Sequence, residues 1–171
     1  GAVGPIIGQN AGAGLSDRVR GAFKDGLIFT AIVVVVMSLL LFISRPLLVM
    51  LFQLEGTALT IVFLFAGPLS LLFFFNGVIF VANAAFNNLA HPFYSTWINW
   101  GRHTLGTIPF VMLGAAWYGA PGVLIGQALG GGIFALAAYL LAKKVLAADT
   151  TPSDEAFAPH HRLMQLFHLR R

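Results

Sequence analysis

The sequence predicts an all-α, polytopic membrane protein, and three observations carry that expectation. Only 9% of its residues are charged, against about 25% in a typical soluble domain, and the mean hydropathy is +0.84. Four stretches supply the roughly 20 predominantly apolar residues that a helix needs to cross the hydrocarbon core. The third observation is the absence of Asp, Glu, Lys and Arg from the whole of 56–101.

Taken in order, the opening GAVGPIIG has neither the basic n-region nor the cleavage pattern of a signal peptide, and it reads as the interior of a longer protein. The glycine-rich segment 8–14 lacks the Lys-Ser/Thr of a phosphate loop and the strand that precedes a dinucleotide site. Residues 1–25 therefore read as the end of a preceding membrane helix, a cytoplasmic loop and a surface helix in SDRVRGAFKD, with Ser16 or Asp17 as N-cap. Residues 26–148 hold the four transmembrane helices. The first runs from Gly26 to Ser44, and PLLVMLFQL from Pro46 is too short to span and is expected along the interface. The second starts near Thr57 and reaches about Leu89; tilt, a bend near Gly67-Pro68 or protrusion must absorb its excess length. The third runs from Phe93 to Tyr118, and the turn 119–122 leads into the fourth, which ends at Ala142 before Lys143-Lys144.

Residues 149–171 form a cytoplasmic tail, a polar linker followed by HHRLMQLFHLRR. Leu163, Leu166 and Phe167 recur at helical spacing among His and Arg, which fits either an amphipathic helix on anionic head groups or a frayed basic tail. His160, His161 and His168 read as solvated side chains, so no metal site is expected. With no cysteine there is no disulfide or thiolate chemistry.

Orientation follows from the basic residues, which cytoplasmic loops carry in excess. Four crossings put nine of the ten Lys and Arg on one side, with Arg45 alone opposite. The segment 10–25, the 88–93 turn and the C-terminus are therefore expected in the cytoplasm.

Candidate functional residues stand out as polar groups in apolar surroundings. At 100° per residue, Asn76, Asn83 and Asn87 fall within about 40° of one another with Phe80 on the same stripe, while Asn88 points toward the helix end. Intramembrane amides face a water-filled cavity or hydrogen-bond a neighbouring helix, and the stripe admits both. Asn99, Arg102, His103 and Gly106 share neighbouring parts of one face of the third span. A charge at Arg102 is either a cavity residue or a side chain snorkelling to the head groups. Gly122, Gly126 and Gly130 form a GxxxGxxxG stripe that reads as close helix packing, with Gln127 the one polar side chain nearby that could face a ligand.

The segments PIIGQNAGAGLSDRVRGA at 5–22, FNGVIFVANAAFNNLAHPFYSTWINWGR at 75–102 and GVLIGQALGG at 122–131 resemble the C-terminal lobe of multidrug and toxic compound extrusion (MATE) transporters. The likeness is strongest to the branch named after DNA-damage-inducible protein F. The resemblance implies the last part of a twelve-helix, two-lobed exporter in the bacterial inner membrane with its C-terminus cytoplasmic, moving organic, often cationic, compounds in exchange for H⁺ or Na⁺. Its partners would be the missing N-terminal lobe, small organic substrates and membrane lipids, with no nucleic acid and no cofactor. It also implies that an acid of many relatives is replaced at or near Asn76 by an amide, which can ligate Na⁺ but cannot take up a proton. The cavity is then expected at Asn76, Phe80, Asn83, Asn87, Asn99, Arg102 and His103, with no catalytic residue. The alternatives are a lipid or lipid-linked oligosaccharide flippase of the same superfamily, a structural membrane subunit, and an intramembrane protease using His91 or His103 with Ser95 or Thr104.

Overall fold

A computed structural model describes residues 2–148, so every expectation for the tail 149–171 lies outside the described residues. Within them all regular structure is helical. Helix α1 (Val3–Gly12) leads through Gly14, at φ 70°, into α2 (Ser16–Phe52); α3 (Gly56–Phe65), the single turn α4 (Pro68–Leu71) and α5 (Phe73–Asn88) follow, then α6 (Pro92–Gly101), a π-helical turn at Arg102–Gly106 and α7 (Ile108–Ala148). The core is formed by α1, α2, α5, α6 and α7, which bury Ile7, Phe23, Ile79, Phe86, Ile98 and Ala138.

Two expectations for the first third are corrected. SDRVRGAFKD is not a separate surface helix but the first turns of α2; Leu15 occupies the N-cap position without a side-chain cap bond, and Asp17 lies in the first turn. The same helix passes through Pro46 and ends at Phe52, so PLLVMLF of that segment continues it. A proline deletes one ladder hydrogen bond but fixes φ at a helical value, and apolar surroundings favour keeping every remaining backbone bond inside the helix. Chain reversal comes instead at Gln53, at φ 48°. Along α2 the side chains of Phe29, Ile32, Val35, Met37, Leu40 and Ile43 are all more than half exposed. A patch of this kind suits lipid or another protein surface and not water.

The long second apolar stretch is bent, as its length demanded. Across Leu72 the run Gly56–Leu71 meets Phe73–Asn88 at 43°, and within that first run Gly67 breaks the helix between α3 and α4. Arg45 of α2 fills this break. Its Nε donates to the Ala66 carbonyl at 3.1 Å and its Nη2 to the Phe63 carbonyl, while the guanidinium lies 4.3 Å from the Phe42 ring centre and 5.0 Å from that of Phe63. Phe63 lies in the last turn of α3 and Ala66 is its C-cap, positions where carbonyls lack an intrahelical amide to accept from.

The run Pro92–Ala148 reverses at Gly119, whose φ of 62° and ψ of −139° are open to glycine alone. The arms on either side are antiparallel and touch backbone to backbone: a Cβ on Gly122 would overlap the Gly114 carbonyl, one on Gly126 the Phe110 carbonyl, and one on Gly130 the Gly106 carbonyl. The stripe Gly122, Gly126, Gly130 is thus a packing surface, as its spacing predicts. A second such surface went unread in the sequence: Gly4 and Gly8 of α1 lie against Asn88, whose Nδ2 donates to the Ala84 carbonyl at 2.8 Å. By length and composition, Ser16–Phe52 and Pro92–Ala148 can cross a membrane, and the bent pair makes a third candidate if it counts as one span.

One end of the molecule is basic. Phe23 stacks on Tyr139 with ring centres 6.4 Å apart, which brings Arg20 and Lys24 to the end where Lys143 sits over the same tyrosine at 5.6 Å. Arg45 is far from it, at the bend.

Candidate functional site

The polar groups converge because α6 is followed by a π-helical turn. Adding a residue to a helical turn re-aims the side chains that follow, and Thr107 secures the turn by donating from Oγ1 to the Arg102 carbonyl at 2.9 Å. Arg102 thereby reaches across to α5, where Nη1 donates to Asn76 Oδ1 at 2.9 Å. Its Nη2 lies 3.4 Å from His103 Nε2; a guanidinium can only donate, so this ring nitrogen is the acceptor. Asn76 lies twelve residues before the end of α5, about 18 Å of helix, so Arg102 turns away from the 88–93 turn and does not snorkel toward it.

Asn76, Arg102 and His103 line a cavity of about 200 Å³ together with Thr107, Gln127 and an apolar wall that includes Phe65, Phe73 and Phe75. A second cavity, wider and more open at about 1080 Å³, lies between α1, α2 and α5 and is lined by Phe80, Asn83 and Asn87 with Asn10, Thr30, Arg18 and Asp25. The amide stripe is therefore divided between two cavities. Its helical angles are as expected, but its neighbours change along α5: the π-helical turn meets the helix at Asn76, whereas α2 and α1 pack at Gly77, Val81, Ala84 and Asn88.

Each remaining residue has a distinct place. Asn83 Nδ2 donates to Asn99 Oδ1 at 3.3 Å, Asn99 Nδ2 donates to the Ser95 carbonyl at 2.8 Å, and Asn83 Oδ1 is buried with no partner among the described residues. Asn99 joins the helices and lines neither cavity. Phe80 is 65% exposed at the wider cavity, and Asn87 is exposed there too. Gly106 is buried against Phe134 and Gly130. Asn76 and Asn83 each bond a neighbouring helix and also border a cavity. Of the residues in the protease alternative, His103 is turned to Arg102, and Thr104 Oγ1 donates to the Trp100 carbonyl at 2.8 Å. Among the described residues no group of three His, Cys, Asp or Glu could hold a metal ion. Sequence reasoning passed over Thr107, Thr30 and Asn10; hydroxyls and amides that bond their own helix, as these do, carry no periodic signal.

Residues 1–113 match the MatE family. The chain belongs to that family. MatE members are transporters, and a multi-pass, all-helical membrane architecture is common to them and to this chain. The "uncharacterized 21 kDa protein in iaaL 5'region" of Pseudomonas savastanoi is 35% identical over 146 residues, which cover 81% of this MatE chain and 45% of that relative. The crystal structure of the Vibrio cholerae MATE transporter VcmN in the bent form superposes with a TM-score of 0.76 at 23% identity, over 85% of this chain and 33% of that one. The MatE chain thus shares the fold of part of a transporter and spans less than half the length of either relative.

Proposed function

We propose that the chain is the C-terminal lobe of a secondary exporter of small organic compounds, working by alternating access in the branch named after DNA-damage-inducible protein F. On this reading it crosses the bacterial inner membrane four times, through Ser16–Phe52, the bent pair, and the two arms on either side of Gly119, with its C-terminus in the cytoplasm. The clustering of basic side chains at the Phe23–Tyr139 end supports that orientation. The observation that carries the proposal is the Asn76–Arg102 bond: two polar side chains from different helices meet inside a charge-poor bundle and both line a cavity. Ionisable residues at such depth mark substrate or ion pathways.

Asn76 is neutral, so H⁺ or Na⁺ coupling is assigned to groups beyond this chain, in an N-terminal lobe that is its main partner. Transport then needs both lobes, and expression of residues 1–171 alone is expected to confer no drug resistance. The cavity is tested by single cysteines at 76, 83 and 87 in the otherwise cysteine-free sequence. Labelling by a water-soluble maleimide is expected at all three, with rates that change when substrate is added; absence of labelling at every position would leave only helix packing for these amides.

A further inference from the structure

We propose that the smaller cavity, beside Arg102, binds organic anions of aryl carboxylate type in preference to organic cations. The inference rests on the reading of Asn76 and Arg102 as cavity residues, and it departs from the cationic substrates that the family resemblance implied. Four features of the site lead to it.

The first is charge. Arg102 is the one charged side chain lining the cavity, and the acids among the described residues, Asp17, Asp25 and Glu55, are absent from its lining. The wider cavity differs, because Arg18 and Asp25 both line it and offset one another. The second is how Arg102 is held. Asn76 Oδ1 accepts from the guanidinium and His103 Nε2 lies 3.4 Å from it, and neither partner is a carboxylate that would cancel its charge. The third is spare capacity: a guanidinium has five N–H donors in a planar fork matched to carboxylate, and these two contacts use two of them. Gln127 adds an amide from the facing helix. The fourth is shape. At about 200 Å³ the cavity holds the volume of about seven water molecules at 30 Å³ each, which suits one or two fused rings, and Phe65, Phe73 and Phe75 offer them an apolar wall. An anion placed here gains a charge-assisted bidentate contact; a cation of equal size meets an uncompensated positive charge in a low-dielectric setting.

The test uses the whole protein in phosphatidylcholine nanodiscs with two radiolabelled probes of matched shape, 1-naphthoate and 1-naphthylmethyl-trimethylammonium, measured by equilibrium dialysis. Naphthoate is expected to bind at least about tenfold more tightly. Arg102→Gln should remove that preference and Arg102→Lys should keep part of it. Leu124→Trp, which fills the cavity from α7 without touching Arg102, should abolish naphthoate binding and covers the case in which Arg102→Gln fails to fold. Equal or tighter binding of the cation, or naphthoate affinity unchanged in Arg102→Gln or Leu124→Trp, would overturn the proposal. Phosphatidylglycerol added to the nanodiscs separates a soluble anion from a lipid phosphate: undiminished naphthoate binding supports the former, and displacement would overturn the assignment to a soluble ligand. A protein that binds naphthoate but exports nothing counts against the exporter reading alone, and one that exports without preferring naphthoate counts against this inference alone.

Discussion

Arg45 and Arg102 both sit among apolar residues, yet their partners are opposite in kind. Arg45 is bonded to backbone: the Ala66 and Phe63 carbonyls accept from its Nε and Nη2, and its guanidinium lies against two phenyl rings. Arg102 is held by the side chains of Asn76 and His103 and opens onto a cavity. The guanidinium of Arg45 completes a broken helix, whereas that of Arg102 is fixed by side chains with its remaining donors beside a cavity. What each guanidinium faces, a broken helix or a cavity, separates the two, and not depth or burial.

Substitutions at the two sites should therefore diverge, and the largest divergence concerns stability. Arg45→Met leaves two carbonyls unpaired at the bend and should cost about 3 kcal/mol in reversible SDS unfolding, with naphthoate binding unchanged. If Arg45→Met instead weakened binding and left stability alone, the comparison would be inverted. Next in size is Asn76→Asp, which places a carboxylate against Arg102: naphthoate affinity should fall about tenfold, equivalent to about 1.4 kcal/mol, and the cation dependence of transport should change. Unchanged binding and coupling would remove Asn76 from the cavity. Arg45→Lys keeps the charge but loses the fork that spans two carbonyls, and a cost of about 1 kcal/mol is expected in the same unfolding assay. Smallest is Ser70→Ala, which removes the Oγ bond to the Gly67 carbonyl at the same bend; about 0.5 kcal/mol lost without change in binding would sharpen the separation of the two sites.

The distinction between these arginines was not legible in the sequence. Arg45 read as a span end, because its partners are main-chain carbonyls 18 and 21 residues away that become available only when Gly67 breaks the helix. The break at Gly67 was one of three readings of the excess length, beside tilt and protrusion, while the reversal at 119–122 with its glycine stripe was legible from local backbone chemistry. The passage of α2 through Pro46 was missed because the residue before a proline is biased away from helix in water, a bias that apolar surroundings override. For the candidate site, periodicity placed the amides of α5 on one stripe. It could not reveal the π-helical turn that brings Arg102 to Asn76, nor the change of neighbours that divides the stripe between two cavities, because both arise from how other helices pack.

The hairpin at Gly119 also bears on the order of assembly. Its closing contacts join residues near in sequence, from Gly114 with Gly122 outward to Gly101 with Phe134, while α1 docks on α5 through residues as distant as Gly8 and Asn88. Closing a short loop costs less chain entropy than closing a long one, so the two arms can zip together before α1 docks on α5. The hairpin then offers a finished surface on which α5, and with it Asn76, finds its place.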